Sequence, residues 1–124
     1  MPERRTALLL IAHGSRRPEA NADLEYVAAA LAERGRYPVV QVSYLELAEP
    51  SIDAGGALCI GLGATDVILL PYFLSPGKHV VEDLAAARDR LATRFPAVRF
   101  VLAEPLGRHP LLLDVLEHRA REVE

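Results

Sequence analysis

Cysteine is nearly missing from this chain: Cys59 is the only one. A single thiol excludes an internal disulfide, and it excludes an iron–sulfur cluster held by this chain alone. Positive charge is not in excess. The 17 acidic residues outnumber the 14 Lys and Arg, for a net charge of −3. That balance rules out a generic basic nucleic-acid binder with its concentrated positive patch. Long apolar runs are also lacking. The longest, Val67 to Leu74, is interrupted by Pro71 and falls far short of the roughly 20 residues of a membrane helix. After Met1-Pro2-Glu3-Arg4-Arg5 comes only the short apolar stretch Ala7 to Ala12, so no cleavable signal segment is expected. No repeat, linker or low-complexity segment interrupts the chain. The expectation is a soluble cytoplasmic protein with no nucleic-acid or membrane partner.

What is present suffices for a core. The 124 residues are 51% apolar and 25% charged, the balance of a globular domain. A single domain over residues 1–124 is expected, burying roughly two-thirds of its unfolded surface. Four short apolar runs alternate with four helical patterns. Thr6–Ala12 is continuously apolar, as a strand buried on both faces should be. Pro18 marks the start of a helix with Leu24, Val27, Ala28 and Leu31 on one face and Gly35 at its end. Val39–Leu45 is the second predicted strand. Pro50-Ser51 opens a helix that turns Ile52, Cys59 and Ile60 inward and stops at Gly61 and Gly63. Asp66–Tyr72 is the third strand. The loop Phe73–Lys78 leads into a helix carrying Val80, Leu84, Ala87 and Leu91 on one face. Arg99–Ala103 is the fourth strand. A last helix from about Pro110 is expected to bury Leu112, Val115, Leu116 and Ala120.

This alternation predicts an α/β fold, a three-layer sandwich with a four-stranded parallel sheet joined by right-handed crossovers. The expected order is 2-1-3-4, the flavodoxin-like winding. Its topological switch falls between strands 1 and 3, and open α/β sheets bind ligands beyond the strand carboxyl ends at such a point. His13-Gly14-Ser15-Arg16-Arg17 follows strand 1, Ser75-Pro76-Gly77-Lys78-His79 follows strand 3, and Glu46 follows strand 2. Two of the four histidines and a carboxylate therefore converge on one crevice.

Imidazole with carboxylate suits borderline divalent metals such as Co²⁺, Ni²⁺, Fe²⁺ or Zn²⁺. Two histidines and at most one Glu leave coordination positions open, as a reacting metal requires. Histidine also accepts protons near neutral pH. Glu49 lies three residues beyond Glu46, and either residue has the alternative role of a solvated cap. Cys59 reads as core filler, His109 as part of the start of the last helix, and His118 as an exposed residue on it. Arg16, Arg17 and Lys78 flank the crevice, with the positive end of the first helix expected beside it. Such a rim suits a polycarboxylate; the competing reading is a few solvated bases.

The strings LLLIAHGSRRPEAN, VSYLELAEPSI, ILLPYFLSPGKHVVEDL and AEPLGRHPLLLDVL resemble the CbiX/SirB family of sirohydrochlorin chelatases, class II tetrapyrrole chelatases, over about Leu8 to Leu116. The resemblance implies insertion of a divalent metal into sirohydrochlorin, with Co²⁺ favoured over Ni²⁺ or Fe²⁺ and no prosthetic group. It places the family's metal-site histidines on His13 and His79 and its acidic residue on Glu46. His13 and His79 would hold the metal, and Glu46 would serve as third ligand or proton acceptor. Ser15, Arg16, Arg17 and Lys78 would meet the substrate's carboxylates, and Tyr72, Phe73 and Leu74 would supply an apolar wall. Tyr44 is expected to be ordinary packing instead. Many bacterial members carry two tandem copies of the domain, whereas this chain carries one, so it resembles the short form that assembles as a homodimer. A metal or tetrapyrrole carrier without turnover is the main alternative. A histidine phosphotransferase fits less well, because the loop lacks an Arg-His-Gly order. A half-domain inactive without a partner is a further alternative.

Overall fold

The computed structural model describes residues 3–124. Its elements run β1 (Thr6–Ala12), α1 (Pro18–Arg34), β2 (Val39–Tyr44), α2 (Ile52–Gly61), β3 (Asp66–Pro71), α3 (Lys78–Arg94), β4 (Arg99–Leu102) and α4 (Leu111–Arg121). The four strands form one all-parallel sheet in the order β2-β1-β3-β4. This is the expected α/β winding. Three strands stop one residue earlier than expected, yet the backbone pairing continues. Leu45 donates to Ala12 (2.9 Å), Tyr72 to Ile11 (2.7 Å) and Ala103 to Leu69 (2.9 Å).

The central strands β1 and β3 are apolar on both faces: β1 lies between α2 and α1, while on the α1 side β3 contributes Leu70 to the packed cluster. Ala7, Leu9, Ile11, Val67 and Leu69 pack against Ile52, Cys59, Leu84, Ala87 and Leu91 of α2 and α3. Leu10 packs on the other face with Leu24 and Tyr44, backed by Val27, Ala28 and Leu31 of α1. Each fully buried Leu or Ile contributes about 1.5–3 kcal/mol by leaving water. The inward faces expected of α1, α2 and α3 are the observed ones, with Ile60 half-buried. Pro18 opens α1, and Gly35 closes it at φ 71° with its N–H on the Ala32 carbonyl. The Ser51 side chain accepts from the Ala54 N–H and caps α2.

α4 departs from expectation. It forms where predicted, but none of its residues is buried. Leu112 is only half-buried, and Val115, Leu116 and Ala120 are exposed. The apolar spacing identifies a helix with one apolar face. It does not identify the surface that covers that face, and the chain's own sheet does not.

At the amino ends of the strands, Asp66 holds the sheet to the entering chain. Its carboxylate accepts from Arg4 (2.7 Å) and from the Thr65 hydroxyl (2.8 Å), and Arg99 lies 3.7 Å away. The Arg4 guanidinium, followed by the Thr65 hydrogen bond, holds the Asp66 carboxyl below the usual carboxylate range.

Candidate active site

The carboxyl ends of β1 and β2 are zipped together beyond the last strand residues. Leu45 donates to Ala12, and Glu46 donates to the His13 carbonyl (3.0 Å). This places the Glu46 side chain against the His13 ring: His13 Nε2–H donates to Glu46 Oε1 at 2.8 Å. A carboxylate can only accept, so this contact calls for a proton on Nε2; in the neutral ring Nδ1 then keeps its lone pair. The crossing is tight because residue 14 is glycine. Gly14 has φ +98°, and a Cβ there would collide with the Glu46 carbonyl. Glu46 in turn is followed by a turn in which Leu47 adopts φ 63° and Ala48 donates to the Glu46 carbonyl (2.8 Å).

His13, Glu46 and His79 line one crevice of about 410 Å³. His79 sits in the first turn of α3, nearly fully exposed, with Nδ1 3.9 Å from Glu82. His13 and Glu46 are about half exposed, so both remain reachable from solvent. Among the described residues, no three His, Cys, Asp or Glu side chains gather closely enough to form a ready-made metal cage.

The remaining lining is Leu45, Ser51, Ile52, Asp53, Val80, Asp83 and Arg90. Asp53, Asp83 and Arg90 were not anticipated from the sequence. One signal was available: His79 and Asp83 are four apart and share a face of α3. Asp53 lies in the first turn of α2, and its Oδ2 accepts from Arg90 Nε at 3.2 Å. Its Oδ1 is buried without a partner. The crevice thus carries three carboxylates, two imidazoles and one guanidinium, a set that favours a cation. The helices whose amino ends reach it are α2 and α3, not α1.

The other sequence-predicted residues surround this crevice without lining it. Ser15 is occupied locally: its hydroxyl accepts from the Arg17 N–H (3.1 Å), and Asn21 clamps its backbone on both sides (3.0 and 2.8 Å). Asn21 is a loop-ordering residue the sequence did not single out. Arg16, Arg17 and Lys78 are exposed on the same end of the sheet. Tyr72 and Leu74 are exposed, whereas Phe73 packs against the core. Tyr44 is 2% exposed and belongs to the α1-side core. Burial, then the charge of Glu25, pushes its phenol up. His109 accepts the Leu111 N–H on Nδ1 (3.1 Å) and so helps start α4. His118 is exposed beside Glu122.

The winding and the switch-point crevice define a class: open parallel α/β domains that present an imidazole–carboxylate pair at the carboxyl ends of their strands. Within it, the CbiX family model matches residues 7–123, and the chain belongs to that family. A chloroplastic sirohydrochlorin ferrochelatase of Arabidopsis thaliana is 39% identical over 112 residues, covering 90% of this chain and 50% of that protein. A sirohydrochlorin cobaltochelatase of Methanococcoides burtonii is 29% identical over 124 residues, covering 94% of this chain and 95% of that protein. The crystal structure of the sirohydrochlorin chelatase SirB from Bacillus subtilis subspecies spizizenii, in complex with cobalt, superposes with a TM-score of 0.84 at 28% identity. That match covers 96% of this chain and 51% of SirB. The chain therefore spans about half the length of the plant and SirB relatives and nearly all of the archaeal one.

Proposed function

We propose that this chain is a sirohydrochlorin chelatase, a lyase-type enzyme that exchanges the two N–H protons of the macrocycle for one divalent metal ion. The observation that carries this reading is the His13–Glu46 hydrogen bond at 2.8 Å, in the crevice that His79 also lines. The metal is a substrate. Co²⁺ is the favoured ion, with Fe²⁺ or Ni²⁺ as the other candidates, and the names of the relatives include both cobalt and iron enzymes. Imidazole ligands suit all three ions.

His13 Nδ1 and a ring nitrogen of His79 are the donors that receive the ion, and the carboxylates of Glu46, Asp53 and Asp83 favour its entry. Pyrrole nitrogens replace its remaining waters. Each of the two pyrrole protons then needs an acceptor. While Nδ1 holds the metal the His13 ring has no free lone pair, so the solvent-open carboxylate of Glu46 takes the first pyrrole proton and releases it to water; once the metal has passed to the macrocycle, His13 Nδ1 is free to take the second. Arg16, Arg17 and Lys78 pair with the peripheral carboxylates of the macrocycle, Ser15 shapes their loop, and Tyr72, Phe73 and Leu74 border its apolar ring. Two copies of this single-domain chain, related by a two-fold axis, provide the second wall of the cleft.

The test is an anaerobic absorbance assay with catalytic amounts of protein, sirohydrochlorin, and Co²⁺, Ni²⁺ or Fe²⁺ in parallel. Accelerated loss of the metal-free spectrum over many turnovers is the expected outcome. A single stoichiometric transfer identifies a carrier instead.

A further inference from the structure

The segment from Leu74 to Val80 lines two cavities of opposite chemistry. At its carboxyl end, His79 and Val80 border the metal crevice, whose carboxylates favour a cation. At its amino end, Leu74, Ser75 and Pro76 border a second cavity of about 460 Å³, lined also by Pro105, Gly107 and Arg108. The one charged group in that lining is the Arg108 guanidinium, so this cavity favours an anion. Ser75 and His79 are four residues apart, which keeps their Cα atoms within about 14 Å of each other.

Both walls of the second cavity are fixed, because the β3–α3 loop and the β4–α4 connector meet backbone to backbone. Gly107 donates to the Phe73 carbonyl (3.2 Å), and the Leu74 carbonyl occupies the space that a Cβ on Gly107 would need. The His109 N–H donates to the Leu106 carbonyl (3.1 Å), and its Nδ1 accepts the Leu111 N–H (3.1 Å). Between these ties Arg108 is held at φ 66°, a conformation unfavourable for a residue with a Cβ. Backbone strain of this kind concentrates at ligand clamps. The Arg108 side chain is exposed. Among the described residues no carboxylate lies within ion-pair distance of it, whereas Arg4, Arg90 and Arg99 each lie beside an aspartate.

We propose that this cavity is a carboxylate subsite for one acid arm of the macrocycle. The guanidinium presents parallel N–H groups that match the two oxygens of a carboxylate. The Ser75 hydroxyl donates to the same group, and Leu74, Pro76 and Pro105 flank the methylenes of the arm. The inference rests on the chelatase reading above and adds Arg108 and Ser75 to it as substrate contacts. An arm anchored here and a metal held at His79 are joined by one short stretch of backbone, so the subsite fixes how the ring is rotated in its own plane.

The test variant is Arg108→Asn, because asparagine tolerates the left-handed backbone. Arg108→Gly, which is unstrained there, replaces it if the melting temperature falls. Arg34→Gln removes the same charge from the last turn of α1, at the opposite end of the sheet, and serves as control. Two measurements are made on each protein: titration of metal-free sirohydrochlorin followed by absorbance, and multiple-turnover Co²⁺ insertion. Arg108→Asn is expected to raise Kd and KM for sirohydrochlorin about 10-fold or more. It should also flatten their salt dependence and leave KM for Co²⁺ at the wild-type value. Arg34→Gln should shift none of these. Wild-type Kd and KM in Arg108→Asn, an equal shift in Arg34→Gln, or a change confined to KM for Co²⁺ would overturn the subsite while the chelatase reading stands. A wild type that neither binds nor metallates sirohydrochlorin overturns both.

Discussion

The backbone carbonyl of Glu46 fills the space that a side chain at Gly14 would need. The contact lets the first two strand ends cross closely enough for His13 to reach Glu46. Gly14→Ala is expected to cost at least about 2 kcal/mol, since it combines strain at φ +98° with a collision against backbone. Urea denaturation measures the loss. Unchanged stability would show that the loop relaxes without cost.

Glu46→Gln separates proton acceptance from positioning. Glutamine still offers an oxygen to His13 Nε2–H, so the ring stays in place, but it takes no proton. Loss of a proton acceptor is expected to lower kcat roughly 100-fold or more, with the melting temperature unchanged. A Gln variant that keeps wild-type kcat while the Ala variant loses it would make Glu46 a positioning residue only.

Asp66 predicts an acid limit to stability. Its carboxyl is held below the usual range by Arg4 first and Thr65 second. The stabilisation is therefore fully present above the unfolded value of about 3.9 and is lost as pH falls through the lower folded value. Asp66→Asn should lower the melting temperature by about 3 °C at pH 7, and the gap between variant and wild type should narrow as pH falls below the unfolded carboxyl value. A gap that stays constant with pH would assign the effect to packing.

Cys59 reports on global opening. It is fully buried in the core, and burial pushes its thiol up to about 11. At pH 8 roughly one thiol in 1,000 is ionised. Alkylation of the native protein is expected to be at least about 100-fold slower than in denaturant, and to accelerate in step with unfolding in urea. Rapid native labelling would contradict the packed α2–sheet interface.

Strand order and the His13, Glu46 and His79 grouping were legible in the sequence, because uninterrupted apolar runs such as Leu8–Ile11 and Val67–Leu70 mark the central strands of a sheet. The winding rules then place the loops after them together. Asp53 and Arg90 were not legible. Their meeting depends on the tilt of α2 against α3, and periodicity carries no tilt. Leu116 illustrates the other limit: amphipathic spacing marks a helix with an apolar face, but it does not say whether the chain's own sheet covers that face, and Leu116 is exposed.

The central claim is that the crevice between His13 and His79 is where the metal enters the macrocycle. It is tested most directly by comparing wild type, His13→Ala and His79→Ala in multiple-turnover Co²⁺ insertion into sirohydrochlorin, with melting temperature measured on the same samples. Both side chains are exposed, so folding should be unaffected while kcat/KM falls roughly 100-fold or more in each variant. Folded variants that insert metal at the wild-type rate would contradict the assignment of this crevice.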